Sequence, residues 1–263
     1  MKHLTQAVIK FISPAAALLL SFLLGGAFIL LIGHNPWQVY HRLFSETIGS
    51  WYGIGQVLFK STTFIFTGLS AAIAFRTGLF NIGTEGQLII GAFAIAFVGF
   101  SLPALSPVLL IPLCLFAGMC LGALWGLIPG LLKARYGAHE VITTIMMNFI
   151  AAALVSYFVN NIFGIPATIH THQIAATAEL PRLDTMFGQL RGSPVNVSFV
   201  LSILTAVITL YIISRTRLGY ELRTTGLSKG AAEYAGINVH VRTAIAMALA
   251  GGVAGVGGSN FIM

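Results

Sequence analysis

Between Glu85 and Lys133 the chain runs through 47 consecutive residues, 86–132, without a charged side chain. Crossing about 30 Å of hydrocarbon at ~1.5 Å per residue takes about 20 apolar residues, so this stretch is long enough for two crossings. A turn-forming cluster of Ser101, Pro103, Ser106 and Pro107 divides it. Five further segments have the same apolar character: residues 13–32, 54–75, 141–163, 195–214 and 243–263. The predicted fold is therefore all-α, a polytopic transmembrane helix bundle of seven spans forming a single domain over residues 1–263. Composition agrees, with 57% hydrophobic and only 8% charged residues, where a soluble domain carries about 25% charged. The first segment is too long for the apolar region of a cleaved signal peptide, so it is expected to remain as a span.

The few charges set the orientation. With the N-terminus inside, Lys2, Lys10, Arg76, Lys133, Arg135, Arg215, Arg217, Arg223, Lys229 and Arg242 fall in cytoplasmic connections. Only Arg42, Arg182 and Arg191 fall outside, and ten against three is the asymmetry that positive-inside topology demands. Lys60 lies about a turn inside the outer face of the second span, where its stem can snorkel to the headgroups. The formal charge of +7 is thus topological. Basic residues do not cluster with aromatics as a nucleic-acid face requires, so nucleic acid is not an expected partner.

Reactive groups are sparse. Cys114 and Cys120 share one apolar stretch on different helix faces and are expected to be buried free thiols. His139 and Glu140 lack the second histidine of a zinc-protease helix, and no metal or other cofactor is expected. An intramembrane enzyme would need a nucleophile and base, or metal ligands, at helical spacing within spans. A secondary transporter or channel would place ion-coupling carboxylates or basic residues inside spans, which here hold only Lys60.

Glycine is distributed in patterns. Gly118, Gly122, Gly126 and Gly130 recur every fourth residue, giving one helix face of bare backbone for close packing. Gly251 and Gly255, with Gly252, Gly257 and Gly258, repeat the device near the end of the chain. Two connections are long. Residues 164–194 mix prolines, threonines and histidines and read as an ordered external loop with a short helix. Residues 215–242 lie inside, and residues 228–236 offer Ser228 as an N-cap, good helix formers and a closing Gly236, which predicts a short docking helix. Residues 76–87 interleave Leu79, Phe80 and Ile82 with Asn81, Glu85, Gln87 and three glycines. This is either a tight cytoplasmic loop or broken backbone beside a wet transport pathway, since non-helical backbone at membrane depth survives only against protein or water.

The stretch AFRTGLFNIGTEGQLIIGAF, residues 74–93, resembles permease subunits of ABC importers for nucleosides, in the wider group that moves ribose-like sugars and branched-chain amino acids. Residues 137–151, GAHEVITTIMMNFIA, and 226–258, GLSKGAAEYAGINVHVRTAIAMALAGGVAGVGG, match the same family. The resemblance implies a permease half embedded in the lipid bilayer, with three protein partners: a second permease subunit, a cytoplasmic ABC ATPase and an external substrate-binding lipoprotein. It makes residues 215–242 the cytoplasmic coupling loop, with Ser228, Ala231, Ala232, Glu233 and Gly236 at the ATPase contact. Asn81, Glu85 and Gln87 become candidates for the substrate pathway. The chain has no glycine-rich phosphate loop ending in Lys-Ser/Thr, so ATP chemistry belongs to a partner. Family members continue for further spans beyond the glycine-rich segment, and the expectation is a C-terminally shortened bundle.

Topology is directly testable. In a chain lacking Cys114 and Cys120, a cysteine at Thr171 should react with an impermeant thiol reagent added outside, and one at Ser228 should not. Labelling of Ser228 alone would invert the assignment.

Overall fold

Helix ends in this chain are written in short polar residues. Asn35 accepts a hydrogen bond from the Trp37 amide at 2.9 Å, Thr216 from Gly219 at 3.1 Å and Asn238 from Val241 at 3.1 Å. Each such cap stabilises a helix start by about 1 kcal/mol. The computed structural model describes residues 2–165, 168, 170–186, 188–190 and 192–263, without the side chains of residues 2–11 and 13. Pro166 and Arg191, and the side chains of Lys2 and Lys10, therefore lie outside the described residues.

The helices are α1 (Lys2–Leu31), α2 (Pro36–Thr47), α3 (Trp51–Arg76), α4 (Thr84–Ser101), α5 (Pro107–Tyr136) and α6 (Glu140–Asn161). They continue as α7 (Leu183–Met186), α8 (Ser198–Arg215), α9 (Arg217–Leu227), α10 (Lys229–Tyr234), α11 (Val239–Gly257) and α12 (Ser259–Ile262). Among the described residues seven are long and apolar enough to cross a membrane, with α11 and α12 together forming the last. The division of the uncharged run falls where the prolines put it, between Ser101 and Pro107. Two helices escape the sequence reading: α2, and α9 within the 215–242 connection.

The chain divides into two units, residues 1–54 and 55–263. In the first, α2 folds back along α1. The Tyr40 hydroxyl donates to the Phe22 carbonyl at 2.6 Å, and the two rings meet edge-on at 5.4 Å. Gly25 makes room, since a Cβ there would stand 3.0 Å from that hydroxyl. Leu19, Leu23 and Leu31 along α1 remain exposed, the surface a lipid-facing helix presents.

The second unit is built around α11, whose buried residues include Ala246, Met247, Ala250, Gly251, Ala254 and Gly255. Lipid tails are as apolar as leucine, so helices in a membrane gain by close backbone approach more than by hiding side chains. The glycine stripes do this. A Cβ on Gly122 would fall 2.8 Å from the Gly255 Cα, one on Gly130 2.8 Å from the Met247 Cβ, and one on Gly258 2.6 Å from the Ala92 Cα. Gly91 of α4 abuts Gly255 as well, so α4, α5 and α11 meet backbone to backbone. Cys114 is buried in the core beside Ile95, Leu110 and Ala178, Cys120 is half-buried, and both are free.

The unit has two distinct ends. At one, the C-terminal ends of α3 and α5 gather with α9 and the start of α11: a Cβ on Gly226 would strike the Arg76 carbonyl, and the His240 imidazole bonds the Ala134 carbonyl. Lys133 and Glu140 pair at 2.7 Å across the turn from α5 to α6. At the other end, the segment before α8 folds over the bundle. The Ala175 amide bonds the Gly99 carbonyl at 3.1 Å, Leu180 bonds Met263 at 2.9 Å, and Leu183 bonds Val195 at 2.9 Å. The described residues of 164–194 thus include two short 3-10 turns and α7, the short helix the sequence predicts.

The stripe sets an asymmetric tolerance to side chains. Gly255→Val should cost about 3 kcal/mol or more, because its methyls would drive α5 from α11. Gly68→Ala, where nothing stands within 4 Å, should be neutral or mildly stabilising. Thermal unfolding of both variants in detergent separates the two outcomes.

Candidate functional site

The backbone leaves helical geometry between α3 and α4, over residues 77–83. Asn81 and Gln87 face each other across this break as a reciprocal amide pair: Asn81 Nδ2 donates to Gln87 Oε1 at 3.0 Å, and Gln87 Nε2 donates to Asn81 Oδ1 at 3.2 Å. Asn81 also donates to Ser70 Oγ of α3 at 3.2 Å and accepts from the Gly83 amide at 3.1 Å. Asn81, Gln87 and Ser70 are all buried. Gln87 lies against the glycine face of α5, where a Cβ on Gly126 would approach its Nε2 to 3.2 Å. The break is held by a satisfied polar cluster, the arrangement in which buried amides rigidify a fold.

A second amide braces the same break from α6. Asn148 Oδ1 accepts from the Gly86 amide at 2.8 Å, and its Nδ2 donates to the Ile82 carbonyl at 3.0 Å. Gly86 stands in the first turn of α4, whose amides have no partner within the helix, so α6 caps α4 through space. Glu85, beside it, is exposed, with Phe80 and Ile82 exposed nearby. A carboxylate in a first turn is favoured by the helix dipole. The three residues singled out as one polar group are thus split: Asn81 and Gln87 bond each other inside the bundle, and Glu85 looks out. Ser70 and Asn148 were missed, because their partners lie 11 to 66 residues away in sequence.

The 215–242 connection forms an arm. On α9, Glu221 is buried and pairs with Arg217 at 2.9 Å and with Arg242 of α11. Leu222 packs into the cluster of Ala74, Leu79, Ala246 and Met247. The Gly226 backbone at the end of α9 lies against the backbone of residues 76–78, where Gly78 takes a positive φ of 71°. The arm therefore touches the polypeptide that leads into the Asn81 break. Beyond it, Ser228 caps α10 by accepting from the Ala231 amide at 3.3 Å, and Gly236 closes it at φ 76° with the Ile237 amide on the Ala232 carbonyl. Ala232 is the buried pin, whereas Ser228, Ala231, Glu233 and Gly236 are exposed. Leu227 and Tyr234 flank them at 88% and 98% exposure, an apolar surface with no cover from this chain.

A family profile for the permease component of branched-chain amino acid transport systems matches residues 53–263, from early α3 through the arm to α12. The chain belongs to this permease family. Its relatives include a nucleoside ABC transporter permease of Lactococcus lactis, 38% identical, the match covering 95% of this chain and 70% of that one. A guanosine ABC transporter permease of Bacillus subtilis is 37% identical over 94% of this chain and 70% of its own length. A glucose ABC transporter permease of Haloferax volcanii is 31% identical over 94% and 66% respectively. No solved structure matches the chain. The permease is a multi-pass protein of the cell membrane and an ABC importer's membrane-spanning subunit, which sets aside a secondary transporter or channel.

The amide pair makes a defined energetic prediction. Asn81→Leu or Gln87→Leu alone strands the other amide in the bundle and should cost about 1–3 kcal/mol. The double replacement should cost less than the two together, with a coupling of about 1 kcal/mol readable from thermal unfolding in detergent.

Proposed function

We propose that this permease carries nucleosides inward as one of two paired permease subunits, driven by a cytoplasmic ATPase and supplied by an external substrate-binding lipoprotein. The observation that carries the substrate is the 38% and 37% identity, over nearly the whole chain, to permeases named for nucleosides and guanosine. A simple sugar is the second reading, supported by the 31% identity to a glucose permease. The chain itself has no catalytic step in this scheme and needs no cofactor. The basic end carrying α9 and α10 faces the cytoplasm, and the end covered by residues 164–194 faces outward.

The arm supplies the link to ATP. Ser228, Ala231, Glu233 and Gly236 on the exposed side of α10, with Leu227 and Tyr234, seat in the ATPase, and Ala232 anchors α10 to the bundle. Closure of the ATPase dimer displaces α10, and α9 passes the displacement to the backbone of residues 76–78. Helices then rock as rigid bodies between outward and inward openings. Beside the break, in the first turn of α4, Glu85 provides the polar contact to a hydroxylated solute or to water in the pathway. Asn81 and Gln87 set the shape of that break and the position of Glu85.

Reconstitution of the permease with its partner subunits should give guanosine uptake that requires ATP and stops when the ATPase is omitted. Equal uptake without ATP would refute the scheme. Glu233→Arg and Gly236→Trp should each lower co-purification of the ATPase at least tenfold and abolish uptake while the membrane subunits still assemble. Glu85→Ala should cut uptake with unfolding unchanged, in contrast to the destabilising replacements at Asn81.

A further inference from the structure

Among the described residues Glu221, midway along α9, is the one buried carboxylate. A charge taken out of water stays charged only where partners replace its hydration. Glu221 has two, one for each oxygen. Arg217 Nε donates to Oε1 at 2.9 Å. Arg242 Nε, buried and without a hydrogen bond among the described residues, lies against Oε2 as a charge pair. The two partners are unequal. The Arg217 side chain is 91% exposed and sits one turn back on α9 itself, so its pair is screened by water and ties α9 to nothing else. The Arg242 side chain is 26% exposed and belongs to α11. Its amide bonds the Asn238 carbonyl at 3.0 Å, in the first turn of α11, where the helix dipole disfavours a cation. Glu221 offsets that cost, and Arg242 offsets the burial of Glu221.

The neighbouring contact of α9 is of a different kind. Leu222 and Leu218 meet Ala74 of α3, Leu79 of the break, and Ala246 and Met247 of α11. Apolar contact is non-directional, so by itself it lets α9 roll or slide over this cluster. The charge pair opposes such movement, because a buried carboxylate drawn away from its cation is left uncompensated. Further along, α11 meets α5 and α4 backbone to backbone at Gly251 and Gly255. The arm thus reaches the foot of α3 through Gly226 and the central helix through Glu221.

We propose that Glu221 is a positioning residue of the transport cycle, whose pair with Arg242 locks α9 to α11 so that the arm moves the central helix together with the foot of α3. This role rests on the reading of α10 as the ATPase seat, and it adds a second route from that seat into the bundle. Glu221 touches neither solute nor ATP. Without the pair α9 slips on Leu222, hydrolysis continues, and the stroke is lost between arm and bundle.

The test is the ratio of guanosine taken up to ATP hydrolysed by the complete reconstituted complex, with co-purified ATPase measured alongside. Glu221→Gln keeps the shape and removes the charge, and it should lower the ratio about tenfold at unchanged ATPase content, within the range that single residues reach along a coupling chain. A residue serving the fold alone would lower assembly, uptake and hydrolysis together and leave the ratio of the surviving complexes intact. Arg242→Gln should reproduce the loss, and it serves where Glu221→Gln does not assemble, since Glu221 there keeps Arg217. The double variant should fall no further than either single one, because all three lack the same pair. Arg217→Gln, at the exposed partner, should change the ratio by less than about twofold. A wild-type ratio in either assembled single variant overturns the role while leaving ATP-driven nucleoside uptake standing. A further loss of the same size in the double variant, or an equal loss in Arg217→Gln, overturns the tie to α11 as the cause. If neither single variant assembles, the pair belongs to the fold and the role is overturned equally. A wild-type complex without ATP-driven uptake removes the functional reading and this role with it.

Discussion

Backbone-to-backbone contact among α4, α5 and α11 is the constraint from which the rest of the second unit follows. In lipid the drive to hide apolar side chains is absent, and a bundle gains from dispersion at short range. Gly91, Gly118, Gly122, Gly251 and Gly255 remove the side chains that would hold the three helices apart. Because α5 and α11 touch along their length, Gly126 is available to receive Gln87, and the amide cluster at the break has a floor. Within the same unit α6 packs on α4 and α5 and α8 on α11, with Phe149, Leu204 and Leu210 left exposed.

Polar bonding is spent where the backbone departs from helix. Asn81, Gln87, Ser70 and Asn148 all serve residues 77–87, the site at which unmet amides and carbonyls would otherwise face hydrocarbon. The cost of interrupting a membrane helix is thereby offset locally, and the interruption becomes as well defined as the helices it joins. The family to which the chain belongs transports solute, and an interrupted helix with an exposed carboxylate beside it is where such chemistry is expected to concentrate.

Much of this was legible in the sequence, because a membrane span is announced by length and charge alone. The uncharged run, the proline-marked division, the glycine spacing and the Ser228 to Gly236 helix all appear in the structure where the residues put them. The losses have specific causes. The helix α2 carries a legible start, Asn35 followed by Pro36, but is too short to register as a span. The helix α9 contains two glycines and mixed charge, and its folding depends on Glu221 reaching Arg242 and Leu222 reaching Leu79, pairings no local pattern reveals. At the candidate site, residue type marked Asn81, Glu85 and Gln87 alike, and only the direction of each side chain separates the two that hold the chain from the one that faces out. Asn260 of α12, whose Nδ2 donates to the Phe59 carbonyl and to Thr63 Oγ1 of α3, gave no signal, since those partners lie 201 and 197 residues earlier.

The junction of Gly226 with Gly78 has a mechanical meaning. Side chains between two moving parts act as springs, because rotamer changes take up displacements of an ångström or so before the main chain must follow. Here neither residue has a side chain, and main chain presses on main chain. Such a joint has almost no slack. In the proposed scheme, motion of the arm reaches the foot of α3 through two peptide units, with no side chain between Gly226 and Gly78 to take it up.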